Sequence, residues 1–327
     1  MQDSQLQDSQ LQDSRLQDNE EAPVEIALGI NTDYVGDRGA PGPALEEIAR
    51  AGFSHVMWGH QWNTDFLYTT PEVQAIAVVM KNLGLSLVDM HGSSGVEKCW
   101  YSPCEYERLA GVELIRNRVD MTALLGGDTV VLHPMITDPS RIDQWRLQGE
   151  KSLRELERYV RNSGVSLVLE NLFQSDRLEE RDLTLQGFET LEYFFERFDP
   201  GYLDFCWDTG HAFILGDEAF RRSCDLARRR LRTLHLHDNR GDADQHSPPL
   251  TWDSPWDTIA EVIAASPYPP GKPLLLEVDV RTNGGDSRAF LAEARRKGED
   301  FAARVSLARA SSARGSSARG SGGERCR

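Results

Sequence analysis

No stretch of this chain approaches the roughly 18 consecutive apolar residues of a membrane span, and its start is polar rather than a basic patch leading into an apolar run. Both absences point away from a membrane protein, and a cytoplasmic location is expected. Cysteine is scarce: Cys99, Cys104, Cys206, Cys224 and Cys326 are odd in number and form no CxxC pair. A disulfide framework and a thiolate zinc site are thereby disfavoured, leaving reduced, packed thiols. Positive charge is also short, with 36 Lys and Arg against 52 Asp and Glu and a formal net charge of -16. Such a surface repels a phosphate backbone, which disfavours nucleic acid as a partner. A Gly-rich phosphate loop after the first apolar run is missing too, and with it the signature of an open dinucleotide-binding sheet.

The two ends are repetitive. QDSQL, QDSQL, QDSRL opens the chain from Gln2, and a repeat this polar buries too little to offset its ordering entropy, so residues 1–22 are expected to be a disordered tail. SSARG occurs at 311–315 and 316–320, and by composition 306–327 reads as a flexible basic tail. Residues 1–21 hold six acids and one Arg, and 306–327 five Arg and one acid; without them -15 is left on the middle. The acidity therefore belongs to the folded part, expected over 23–305.

Within that middle, eight short apolar runs alternate with amphipathic stretches. The strands are expected at 24–29, 53–58, 85–91, 129–133, 166–170, 203–208, 233–237 and 274–278. Helices are expected at 43–51, 71–83, 105–125, 141–162, 190–198, 218–230, 255–265 and 287–305, several opened by Pro or Ser and closed by Gly. Eight such units with 39% hydrophobic content predict an α/β fold, a single (β/α)₈ TIM barrel.

Histidines and acids collect where these strands end: VDMH at His91, VVLHP at His133, LVLEN at Glu170, CWDTGH at Asp208 and His211, LHLHD at His235 and His237, and LLLEV at Glu277. In a barrel those ends converge on one face, where the active sites of this architecture lie. A lone strand-end histidine is more often a hydrogen-bonded core residue than a ligand, and His55, with no acid beside it, is read that way. Six consecutive ends are different. Carboxylates there cost several kcal/mol to desolvate unless paired, and no Lys or Arg accompanies them. A divalent metal is the expected partner, and imidazoles beside carboxylates suit zinc, manganese or iron. In the loop HLHDNRGDADQH, Asp244 and His246 are the expected ligand pair, against a bland alternative of a solvated acidic loop. Trp58, Trp62, Tyr68 and Trp252 would suit stacking on a small sugar-like molecule, and His60 is expected in the pocket lining with Trp62.

Together LHP, LEN, DTGHAF, HLHDNRGDADQH and LLLEV make the chain resemble the xylose-isomerase-like TIM barrels, which include sugar-phosphate isomerases and epimerases and the endonuclease IV type AP endonucleases. The resemblance covers roughly 24–300. It implies, in the mononuclear branch, one ion on Glu170, Asp208, His235 and Glu277, the two glutamates doubling as acid and base. In the endonuclease branch it implies three zinc ions, on His91, His133 and Glu170, on Glu170, Asp208, His235 and Glu277, and on His211, Asp244 and His246. One to three ions per chain follow. His60, Trp62, His237 and Arg240 are expected to contact substrate. The family's PGxGxID stretch is replaced by SPPLTWDSPWD at 247–257, which alters the pocket wall. His91, His133, Asp244 and His246, which a single-ion enzyme does not need, favour a multinuclear phosphoester hydrolase acting on a small sugar-derived or phosphorylated molecule; the alternative is a single-metal sugar or sugar-phosphate isomerase or epimerase.

Overall fold

A computed structural model describes residues 26–36, 41–59, 67–92, 99–134, 139–172 and 181–320. Eight parallel strands run β1 Leu28–Asn31, β2 His55–Trp58, β3 Ser86–His91, β4 Thr129–Leu132, β5 Ser166–Glu170, β6 Leu203–Asp208, β7 Leu231–His235 and β8 Leu274–Leu276. They pair in the order β7-β6-β5-β4-β3-β2-β1-β8. The ring closes where Leu236, just past β7, bridges Leu276 in parallel, with Leu236 N–H donating to the Leu275 carbonyl at 2.9 Å. This is a (β/α)₈ TIM barrel, as expected.

Between the strands lie α1 Gly42–Arg50, α2 Thr70–Leu83, α3 Glu105–Leu124, a 3₁₀ turn at Pro139–Arg141 leading into α4 Ile142–Ser163, α5 Arg181–Phe195, α6 Thr209–Ile214, α7 Asp217–Arg230, α8 Trp256–Ala265, α9 Val280–Asn283 and α10 Ser287–Gly320. Helix α2 shows why the boundaries fall where they do. Thr69 and Glu72 form a reciprocal capping box, Pro71 sits in the first turn, and Gly84 closes the helix at φ 68°. No helix among the described residues is long and apolar enough to cross a membrane.

Alternation along the strands sorts the core. Val130, Leu132, Leu167, Leu169, Phe205, Trp207, Leu234 and Leu276 join the main apolar cluster with the helices. Val131, Val168 and Cys206 form a separate buried cluster. Each stands two residues before His133, Glu170 or Asp208, so those polar groups share the opposite, inward face at the strands' C-terminal ends.

Several elements differ from expectation. β7 spans 231–235 rather than 233–237, so His237 lies beyond the ladder, and β4 and β8 stop one residue before His133 and Glu277. Pairing ends at the mouth because these residues turn into the site instead of continuing the sheet. α5 begins at Arg181 rather than 190, and α10 continues through 306–320, where a flexible tail was expected. Ala, Leu and Arg there are strong helix formers, Ala308 packs against the core, and Arg309 donates to the Pro270 carbonyl at 3.1 Å. Trp58 and Tyr68, expected as stacking surfaces, are core residues 1% and 4% exposed, the indole donating to the phenol oxygen at 3.2 Å. The expected disordered repeat at 1–22 lies outside the described residues.

Candidate metal centre

Among the described residues five groups of ligand-type atoms lie in the mouth, the atoms of each within 4.8 Å of one another, and they gather into three neighbouring clusters. Glu170, Asp208, His235 and Glu277 form the central one, from the ends of β5, β6, β7 and β8. Nδ1 of His235 lies 3.2 Å from Glu170 Oε2 and 3.0 Å from Glu277 Oε2. His235 and Asp208 are fully buried and Glu170 is 2% exposed. Yet His235 Nδ1 and Glu277 Oε2 are not aligned to hydrogen bond with any partner. Buried groups left that way are costly. Ligand atoms about 2 Å from a common ion stand roughly 3–4 Å apart, so the donor set fits a divalent cation.

Beside it, His91 and His133 approach Glu170 Oε2 at 3.8 and 3.2 Å, their rings 4.8 Å apart. On the other side stand His211, His237, Asp244 and His246. A local capping motif joins the central group to this one: the Asp208 carboxylate accepts from His211 N–H at 2.7 Å and caps α6, while its backbone exchanges two hydrogen bonds with the Asn171 side chain at 2.8 and 2.9 Å.

The site draws positive charge. Burial works against a charged His211, but Asp208, with hydrogen bonds to Asp244 and Glu170, raises its pKa well above 6.5. His246 is likewise pushed up to about 10 against burial, chiefly by its hydrogen bond with Asp244. Burial would raise the acids, yet His235 and His133 hold Glu170 low, His211 and His246 hold Asp244 low, and His235 holds Glu277 low. The raised histidines give stability that is present in full below the unfolded pKa of about 6.5 and lost as pH rises, for His246 through about 10. The lowered carboxylates give stability present above their unfolded values of about 4 and lost as pH falls. Metal-free protein is therefore expected to melt highest between about pH 5 and 6.5. Thermal melts in chelator across pH 4–9 check this, and a Tm climbing steadily from pH 6.5 to 9 would contradict it.

All nine residues expected as ligands, His91, His133, Glu170, Asp208, His211, His235, Asp244, His246 and Glu277, fall in these groups. His237, expected to touch substrate, stands in the group with His211, Asp244 and His246. Arg240 is exposed, its guanidinium 4.3 Å over the Trp252 ring. His60 and Trp62 lie outside the described residues. His55 is half-buried against Ser54, 2.8 Å from its hydroxyl, and burial lowers its pKa.

Four neighbours of the site went unassigned from sequence. Asn171 braces Asp208; Cys206 belongs to a ligand-type group with Glu170 and His235, although burial pushes its thiol up and disfavours the thiolate a metal needs. Asp89, fully buried, lies 3.9 Å from His235 Nε2 and accepts from the Thr233 hydroxyl. Asp238, fully buried, is the fourth. Asp89 stands two residues before His91 and Cys206 two before Asp208, so the strand period of two was the signal that could have found them.

The family description "xylose isomerase-like TIM barrel" matches residues 45–297. A protein of Sinorhizobium fredii, described as uncharacterized protein y4fM, is 28% identical over 251 residues, covering 69% of this chain and 77% of its own. Among solved structures, a D-tagatose 3-epimerase-like protein superposes with a TM-score of 0.65 at 15% identity, covering 86% of this chain and 98% of that one. An L-ribulose 3-epimerase does so with a TM-score of 0.62 at 19% identity, over 88% and 97%. At such identities the superpositions speak for the fold.

Proposed function

We propose, for a chain that belongs to the xylose isomerase-like TIM barrel family, that it is a divalent-metal-dependent epimerase or isomerase of a small sugar, with Glu170 and Glu277 as its acid–base pair. One observation carries this: two carboxylates from β5 and β8 reach the same buried His235 nitrogen, at 3.2 and 3.0 Å, within a single four-residue ligand group. Solved relatives named as sugar epimerases support it. The alternative raised from the sequence is thus better supported than the hydrolase first favoured there.

A divalent ion on Glu170, Asp208, His235 and Glu277 would bind adjacent sugar oxygens and polarise the carbonyl, acidifying the carbon beside it. One glutamate then takes that proton and the other returns one from the opposite face, inverting or relocating the centre. His235 is buried between the two, its Nδ1 3.2 Å from Glu170 Oε2 and 3.0 Å from Glu277 Oε2, and so sets their spacing. His91 and His133 hold the outer side of Glu170. Exchange of the abstracted proton with water resets the pair.

Metal-loaded protein incubated in D2O with a panel of free and phosphorylated ketoses, followed by proton NMR, tests the proposal. Deuterium entering at one carbon as an epimer or aldose appears is the expected result. A multinuclear phosphoester hydrolase is the second reading, favoured by three adjoining ligand groups where an epimerase needs one. Phosphate release from the phosphorylated sugars with no deuterium uptake would replace the first proposal with it.

A further inference from the structure

We infer that Asp89 is a positioning residue for the central ion: it takes a hydrogen bond from His235 Nε2, so that Nδ1 of that ring faces the ion with its lone pair. This role presupposes an ion on Glu170, Asp208, His235 and Glu277. Nδ1 of His235 stands between the two glutamates, 3.2 and 3.0 Å from their Oε2 atoms, and is therefore the ring's ligand nitrogen. A ligating nitrogen offers a lone pair, and the one hydrogen the ring then keeps sits on Nε2. Nε2 is buried and has no hydrogen-bond partner among the described residues. Asp89 Oδ2 lies 3.9 Å from it, and Asp89 Oδ1 is likewise buried without a partner. Bringing donor and carboxylate about 1 Å closer makes a hydrogen bond of ordinary length. The Cys206 thiol, also beside His235, is a weak acceptor. Histidines on metals are oriented in this way, by an acceptor on the far nitrogen.

Two slips of register bring Asp89 and its anchor together. Leu87 pairs with Val56 and Asp89 with Met57, which leaves Val88 of β3 as an extra residue. Leu231 pairs with Phe205 and Thr233 with Cys206, which leaves Arg232 of β7 as another. Each slip falls just before one member of the hydrogen bond that runs across the barrel from the Thr233 hydroxyl to Asp89. Extra strand residues of this kind re-aim the side chains beside them and collect next to active sites. Asp89 and Thr233 thereby stand two residues below His91 and His235, in the layer directly beneath the ligands. Val131, Val168, Cys206 and Leu275 hold the equivalent places below His133, Glu170, Asp208 and Glu277. Among these six residues Asp89 is the one carboxylate, and it is fully buried. A carboxylate so placed is costly unless donors meet it. Thr233 supplies one donor and fixes the group; Nε2–H of His235 supplies the second.

Zinc binding followed at His235 tests this role without any sugar. Protein with 15N-labelled histidines, stripped with chelator and titrated with Zn2+, is read by 1H–15N correlation spectra, in which His235→Gln identifies the His235 signals. Wild type is expected to bind zinc through Nδ1 and to keep its hydrogen on Nε2, with that proton resonance moved downfield by its hydrogen bond. Asp89→Val, which matches the valines of the same layer, should shift the proton upfield. It should also weaken zinc at His235 by about 10–100-fold in competition with a chelator of known affinity. The proton shift is the readout that a role in packing alone would leave unmoved. Asp89→Asn keeps the shape and weakens the acceptor, so both effects should be smaller. Zinc on Nε2, or a folded Asp89→Val with affinity and proton shift unchanged, would overturn the role of Asp89 and leave the central ion standing. If Asp89→Val does not fold, wild-type values of both in Asp89→Asn overturn it equally. Zinc that moves no His235 signal in wild type would overturn the central ion itself, and the metal-dependent reaction with it.

Discussion

Glu277→Gln is expected to slow deuterium exchange and sugar inversion together by about 10²–10⁴-fold, the usual contribution of a general acid or base. The substitution keeps the side chain's size, and its backbone carbonyl still accepts from His246 Nδ1. What is lost is a carboxylate that His235 holds ionised. Because the same side chain is a candidate ligand, metal content must be read beside the rate. Glu277→Asp separates the two roles: it keeps a charged ligand, so it should retain the ion while losing much of kcat by withdrawing the base from the carbon. Turnover within tenfold of wild type in Glu277→Gln, at full metal occupancy, would remove Glu277 from the acid–base pair.

The second large effect concerns stability. Asp238 is fully buried, and its carboxylate accepts five hydrogen bonds, from Asn239 N–H, Thr251 N–H, Trp252 N–H, the Ser254 hydroxyl and the Trp256 indole. This one anion organises the segment that replaces the family's PGxGxID stretch and starts α8. In Asp238→Ala the donors lose their acceptor together, and water reaches only the more exposed of them. Stranding buried donors costs about 1–3 kcal/mol each, so a loss of about 3–5 kcal/mol is expected, on the order of ten degrees in Tm for a domain of this size. Asp238→Asn should fall between, since its amide NH2 would face donors. A thermal melt of Asp238→Ala within about 2 °C of wild type would show that the segment folds without its hub.

Strands β5 and β6 were legible to the residue because a parallel strand buried on both faces is a bare apolar run, SLVLE or LDFCWD, bounded by turns. The ligand-type residues were legible for a related reason: a charge at the end of such a run has no other use for its position. His237 was harder. Its sequence neighbours say it shares a side with His235, but only the folded contact with Asp208 shows that it joins His211, Asp244 and His246. Asp238 read as part of a solvated acidic loop because a run of acids does not disclose which one turns inward to meet Trp252, Ser254 and Trp256. Trp58 and Tyr68 misled for the opposite reason, since aromatic residues near a pocket loop look the same in sequence whether they stack on a ligand or on each other.

The ring closes on its most distant pieces. β1 pairs with β8 through Leu28 and Leu274, and Glu277 enters the centre from just beyond β8. During synthesis at roughly 5–20 residues per second, the first strand must wait on the order of ten seconds to a minute for its partner to be made. Throughout that interval one edge of β1 has no neighbour and the central ligand group lacks its fourth member. The chain therefore acquires a finished barrel and a finished centre at the same late moment, when its last strand docks, and the nascent protein must be kept from pairing that open edge with another chain until then.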